Sequence, residues 1–250
     1  MTATRTAIAS TFVVSMILAG AVNAAEIKVI GSPGVREIYT RLVPDFEKST
    51  GHKVVTTWDG VTNVTKRISG GELSDLVLLP ASNIDLLLKE GRVVGPRTDV
   101  AKSGVGVAIR AGAPKIDVST SDGLRKAVLG AKSVAYSAGP SGEYMAALFQ
   151  KWGIAEQLKG KIVAPPSGSQ IGDVLTRGDA DIGFQQVSEL LPFKTINYLG
   201  PLPADIQETT VFSAAVHKAA NAPEAASALI KFLTAPEALP VILKAGMEPG

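Results

Sequence analysis

The sequence predicts an α/β protein built as two lobes with a ligand cleft between them, and three observations carry that expectation. Short runs rich in valine and isoleucine alternate with helical patterns from Ala25 onward, as in strands joined by helices. The alternation occurs twice, before and after a valine-rich alternating segment at residues 104–110 that can leave one lobe and enter a second. A further alternating segment at residues 208–216 offers a way back, so two crossing strands would form the hinge and the chain would end in the lobe where it began. Open sheets of this kind take ligands in the crevice beyond the carboxyl ends of their strands, which turns attention to the strand-to-helix loops.

In the first lobe, residues 26–30 read as a strand and residues 35–50 as a helix. Ile38, Leu42, Val43 and Phe46 fall on one face of that helix, and Gly51 stops it. Strands at 53–58 and 76–79 follow, with helices at 62–69 and 84–90 that close on Gly70-Gly71 and Gly91. In the second lobe a helix after Ser121-Asp122 leads to strands at 133–136, 161–164, 181–184 and 196–199, interleaved with helices at 142–152 and 170–177. Amphipathic helices at 223–233 and 236–245 complete the chain. The expected division is residues 25–105 with 206–250 as lobe I and residues 106–205 as lobe II.

Composition narrows the function classes. Arg5, an apolar run from Ala7 to Gly20 and the small residues before Ala25 read as a secretory signal peptide, residues 1–24. The run is about fourteen residues, short of the roughly twenty a spanning helix needs. The mature protein is therefore expected in the periplasm. With 25 basic and 23 acidic residues there is no basic excess for tracking a phosphate backbone, so nucleic acid is not an expected partner. Cysteine is absent, which removes disulfides, thiolate nucleophiles and cysteine metal sites. His52 and His217 are the only histidines and stand far apart, so neither a histidine zinc site nor a Ser-His-Asp triad is expected. No phosphate loop or complete G-x-G-x-x-G is present, and no cofactor is expected.

Four loops precede predicted helices and carry small polar residues. They are Gly31-Ser32-Pro33-Gly34, the stretch from Asp59 to Asn63, the stretch from Ser137 to Gly142, and Pro166-Ser167-Gly168-Ser169. Helix starts present unpaired N–H groups at the positive end of the helix dipole, and serine or threonine adds a hydroxyl. One such loop is ordinary capping chemistry. Four on the same side of two lobes point to an anion cradle that needs no lysine.

Several stretches resemble the periplasmic molybdate-binding proteins, type II substrate-binding proteins of ABC transporters, over essentially the whole mature length. In lobe I these are Phe46-Glu47-Lys48-Ser49-Thr50-Gly51 before Val54-Val55, and Trp58 to Leu76 with Arg67-Ile68, Gly71 and Asp75-Leu76. In lobe II they are Pro140-Ser141-Gly142-Glu143-Tyr144 and Gly178-Asp179-Ala180-Asp181-Ile182-Gly183. The resemblance implies a type II periplasmic binding fold and capture of a small anion for an ABC permease in the inner membrane, by a monomer. It places ligand contacts at Gly31, Ser32 and Gly34, at Gly60, Val61 and Thr62, at Ser141 and Gly142, at Gly168 and Ser169, and at Gln186. Val61 stands where the family has a serine and Gln186 where it has a tyrosine, so a small carboxylate rivals molybdate as ligand. Arg36 offers a partner for such a carboxylate. Related proteins include aconitate isomerase, which makes an isomerase of a tricarboxylate the alternative. Glu143, Tyr136 and Asp59 are its acid-base candidates, although each has a structural reading, and no catalytic residue is assigned.

Overall fold

The computed structural model describes residues 24–250, so the expected signal peptide lies outside the described residues except for Ala24. Strand β1 (Glu26–Gly31) alternates: Ile27 and Val29 face one side of the sheet, and Ile30 faces the other. A 3-10 turn, Pro33–Val35, leads into α1 (Arg36–Thr50), which ends on Gly51 in the left-handed region (φ 76°). Then come β2 (Lys53–Trp58), α2 (Val61–Ser69), β3 (Leu76–Pro80) and α3 (Ala81–Lys89). β1 pairs in parallel with both β2 and β3. β3 is buried along its whole length, as expected for a central strand covered by helices on both faces.

β4 (Val93–Arg110) is an 18-residue strand that belongs to both halves of the molecule. Its first part pairs with β9 (Thr209–His217), and its second part pairs with β7 (Ile182–Gln186) and β8 (Ile196–Pro201). The second half of the fold otherwise consists of α4 (Ser121–Gly130), β5 (Val134–Tyr136), α5 (Pro140–Lys151), α6 (Ala155–Leu158), β6 (Ile162–Val163), α7 (Ile171–Arg177) and α8 (Val187–Leu190). After β9 the chain adds α9 (Pro223–Leu233), the 3-10 turn Pro236–Ala238, α10 (Leu239–Lys244) and β10 (Glu248–Pro249), which pairs with β4. The strand order is β2-β1-β3-β9-β4-β7-β5-β6, with β9 antiparallel to its neighbours β3 and β4.

Each half has helices on both faces of its sheet. In the first, α1, α9 and α10 bury Phe46, Leu229 and Ile242 against Ile27, Leu76 and Ala214. On the opposite face Val64, Ile68, Ile84 and Leu87 from α2 and α3 cover Ile30, Val77 and Leu79. In the second, α4 and α5 pack Leu124, Val128 and Phe149 on Val107, Ile109 and Phe184, while α7 covers Ala108 and Ala135 from behind. Among the described residues, no single helix is long and apolar enough to cross a membrane. The mixed α/β fold expected from the sequence is the fold observed.

The elements differ from their expected extents in informative ways. β4 begins at Val93, eleven residues ahead of the alternating segment at 104–110. Residues 93–103 contain Gly95-Pro96 and three charged side chains, which break the alternation, and the ladder with β9 shifts register around them. The four-residue helices α6 and α8 were not expected, because one turn is too short to display a helical period.

Candidate functional site

The carboxyl ends of β1, β2 and β5, together with the loop after β6, bring their loops to one small cavity between the halves. Its wall is formed by Ser32, Gly34, Gly60, Val61, Ser137 to Ser141, Ser167 to Ser169, Gln185, Gln186, Glu189 and Phe212 with Pro33. The space open to the centre of a water molecule is about 40 Å³, equivalent to a sphere of roughly 2 Å radius.

Ser32 leaves β1 in an extended conformation (φ −91°, ψ 152°), and its N–H donates to Leu78 O at 2.9 Å. Its hydroxyl is buried and has no hydrogen-bond partner among the described residues. Gly34 follows beneath the Phe212 ring, where a Cβ would lie 2.1 Å from a ring carbon. The carbonyl of Gly34 accepts a hydrogen bond of 2.7 Å from Ser188 Oγ, which joins the first loop to α8 in the other half.

Gly60 is the N-cap of α2, and its N–H donates to Asp59 Oδ1 at 2.7 Å. Opposite it stands the loop 166–169, with Gly168 in the left-handed region (φ 87°). A Cβ on Gly60 would fall 1.9 Å from Ser167 Oγ and 2.7 Å from Gly168 N, so the halves are closed on each other and only glycine fits there. Ser167 Oγ, like Ser32 Oγ, is buried without a hydrogen-bond partner among the described residues. In the loop before α5, Ser137 Oγ and Ser141 Oγ lie 2.9 Å apart, and Ser137 Oγ accepts from Gly139 N at 3.3 Å.

The floor is polar. Gln185 Oε1 accepts from Ile171 N at 2.7 Å, and Gln185 Nε2 donates to Glu189 Oε1 at 2.8 Å. Gln170 Nε2 donates to that same oxygen at 3.3 Å. Burial pushes the Glu189 carboxyl up to about 7, against the lowering effect of the two amide donors. Among the described residues, Glu189 is the only ionisable one on the cavity wall, and no lysine, arginine or histidine lines it.

Of the residues singled out in the sequence, Ser32, Gly34, Gly60, Val61, Ser141, Gly168, Ser169 and Gln186 reach this wall. Gly31, Thr62 and Gly142 do not. Gly31 is packed between Trp58 and Leu78, where a Cβ would sit 3.0 and 3.1 Å from their atoms. Thr62 turns to a neighbouring depression beside Asn83 and Glu143. Gly142 makes room for the carbonyl of Ser137, which a Cβ would meet at 1.6 Å. Gln186 borders the cavity, but its amide serves the hinge. With its NH₂ turned to β4 it donates to Ser103 O at 2.9 Å and accepts from Thr210 Oγ1 at 2.9 Å.

The earlier acid-base candidates stand off the wall. Asp59 is held below its ordinary value, first by the Asn63 hydrogen bond and also by Gly60 N and Arg67, as befits an ionised loop anchor. Tyr136 packs on Phe149, with ring centres 6.2 Å apart. Arg36 lies over the Trp58 ring at 6.0 Å and does not line the cavity. Gln185, Glu189 and Phe212 are the wall residues that lie outside the four loops, while Ser137 and Ser167 lie in those loops but were not among the expected contacts. Spacing gives one faint signal for two of them: Gln185 and Glu189 are four residues apart, the distance of one helical turn.

Comparison with known proteins agrees with this architecture. The chain is 33% identical over 228 residues to an aconitate isomerase of a Pseudomonas species, covering 88% of this chain and 87% of the relative. It is 28% identical over 232 residues to a molybdate-binding protein of Azotobacter vinelandii, covering 90% and 91%. The solved structure of a periplasmic molybdate-binding protein from Azotobacter vinelandii superposes with a TM-score of 0.77 at 23% identity, over 90% of this chain and 99% of that one, and so shares the fold. The family model of bacterial extracellular solute-binding proteins matches residues 27–248, and the chain belongs to that family.

Proposed function

We propose that this protein is the extracytoplasmic capture component of an ABC importer, closing its two halves on a small anion, either a molybdate-like oxyanion or a small organic carboxylate. One observation carries the reading. Ser32 Oγ from one half and Ser167 Oγ from the other are buried on the wall of the same cavity, and neither has a partner among the described residues. A buried hydroxyl without a partner costs about 1–3 kcal/mol, which a ligand accepting from both would recover. Helix starts at α2 and α5 border the same space, and their dipoles favour negative charge there without a cation. The cavity suits a central atom with a few oxygens; a six-carbon tricarboxylate would need the halves to stand further apart. Hinge closure around β4 and β9 is the motion that such an architecture provides. Export through residues 1–24 and docking on an inner-membrane permease belong to the same proposal.

A panel of molybdate, tungstate, sulfate, phosphate, citrate and trans-aconitate in a thermal-shift experiment tests it. At least one anion is expected to raise Tm, since a ligand that binds only the native state stabilises it by mass action. A Tm unmoved by the whole panel contradicts the reading.

A second reading is favoured by Glu189 and by the similarity to an aconitate isomerase. An ionised Glu189 could take a proton from the methylene carbon beside the double bond of trans-aconitate and return it after the bond has rotated. Formation of cis-aconitate by the purified protein, abolished in Glu189→Gln, would establish it, and no turnover by the wild type would remove it.

A further inference from the structure

Glu189 is a carboxyl group placed where an anion is expected to sit, with no positive side chain among the described residues on the cavity wall to offset it. An ionised carboxylate there would repel the ligand, and the energy of that repulsion is large in a closed, poorly solvated space. The hydrogen bonding shows how the conflict is resolved. Gln170 Nε2 and Gln185 Nε2 both donate to Oε1, at 3.3 and 2.8 Å, which fixes the group and leaves Oε2 without a hydrogen bond among the described residues. A proton on this carboxyl therefore belongs on Oε2, beside the cavity. Gln185 is itself anchored through Ile171 N at 2.7 Å, so the clamp is rigid.

We propose that the cleft captures its anion together with one proton, held between Glu189 Oε2 and an oxygen of the ligand. The proposal rests on the anion-capture reading and specifies the protonation state that it requires. When the ligand is fully deprotonated, Glu189 carries the proton and donates it to the ligand as a hydrogen bond. When the ligand brings its own acidic proton, as hydrogenphosphate does, an ionised Glu189 accepts it. Both complexes contain one proton between carboxyl and ligand; the hydrogenphosphate complex carries three negative charges where the molybdate complex carries two.

Burial has already pushed this carboxyl up to about 7, near the pH at which the exchange matters. No ion pair or other hydrogen bond competes for it. The neighbouring elements carry Arg36, Glu37, Tyr39, Arg41, Asp45, Glu47 and Lys48 on α1, Arg97, Asp99, Lys102 and Arg110 on β4, Asp173 and Arg177 on α7, and Tyr198 on β8. Asp59 lies in the facing loop of the first half, and none of these is bonded to Glu189. Its upward shift comes from burial, opposed by the two amides, without a contribution from any of these charges.

The sign of the linkage follows. A fully deprotonated anion needs Glu189 neutral, so its affinity is constant well below pH 7 and falls by about tenfold per pH unit above it. Hydrogenphosphate, which brings its own proton, keeps its affinity over the same range. Calorimetric titrations with molybdate, tungstate, sulfate and phosphate at intervals from about pH 6 to pH 9 read this directly. For wild type, whichever of the first three binds is expected to lose roughly 50-fold in affinity between pH 7 and pH 9. Titration at pH 8.5 in buffers of different ionisation enthalpy should show uptake of about one proton. Glu189→Gln keeps a neutral donor of the same shape, so its affinity for these anions should be flat with pH and exceed that of wild type at pH 9.

A flat wild-type profile for molybdate, tungstate and sulfate, with binding intact, overturns the proton proposal and leaves anion capture standing. So does a Glu189→Gln variant that retains the wild-type slope. Failure of all four anions to bind at any pH overturns both. Because the wild-type profile is itself decisive, the test does not depend on the variant folding.

Discussion

Gly60 and Gly168 stand where the two halves come closest, and what they lack matters as much as what the serines provide. Any side chain on Gly60 would occupy the position of Ser167 Oγ, 1.9 Å from the Cβ. Gly60 adopts an extended conformation (φ −61°, ψ 150°) that alanine also adopts, so Gly60→Ala should leave the separate halves intact and obstruct only their closure. The expected outcome is an unliganded Tm within a few degrees of wild type and an anion affinity reduced by about tenfold or more. A variant that binds as tightly as wild type would show that closure at this point is not needed. Gly34 is a different case: its Cβ would strike the Phe212 ring inside the first half, so substitution there acts on stability rather than on closure. Ser32, Gly60 and Gly168 were legible as loop residues at helix starts. Glu189 was not, because nothing local in Val187-Ser188-Glu189-Leu190 records that tertiary packing buries its carboxyl beside two amides.

At the scale of elements, the hinge is the pair β4 and β9, and Gln186 is its cross-brace. Its buried amide holds Ser103 and Gly104 on β4 and Thr210 on β9 from the end of β7. Replacing it with leucine removes those bonds and leaves the buried carbonyl of Ser103 without this donor. We expect Gln186→Leu to lose about 1–3 kcal/mol in a denaturant titration, with the loss assigned to the hinge by faster amide exchange in residues 103–105. No change in stability or exchange would mean that the amide is not bracing the hinge. The second half of β4 was legible because Val105, Val107 and Ile109 alternate with smaller residues. The first half was hidden: Arg97 pairs with Asp85 and Asp99 at 2.7 and 2.9 Å, so charges that resemble a loop in sequence are side chains of a strand with ionic partners. The return path was legible in outline, since β9 begins within a residue of the expected segment.

For the molecule as a whole, closure brings groups together that no single half possesses. Ser188 Oγ donates to Gly34 O at 2.7 Å across the divide. Such a bond contributes about 1 kcal/mol to the closed state, a modest bias that a ligand accepting from donors on both halves can complete. The central claim is that Ser32 and Ser167 grip one anion from opposite halves. It is tested most directly by isothermal titration calorimetry of the tightest-binding anion against wild type, Ser32→Ala and Ser167→Ala near pH 6.5. Loss of a hydrogen bond to a charged ligand is worth about 1.5–3 kcal/mol, so each variant is expected to bind roughly 10- to 100-fold more weakly than wild type with its Tm unchanged or raised. Wild-type affinity in both variants would contradict the site described for this fold.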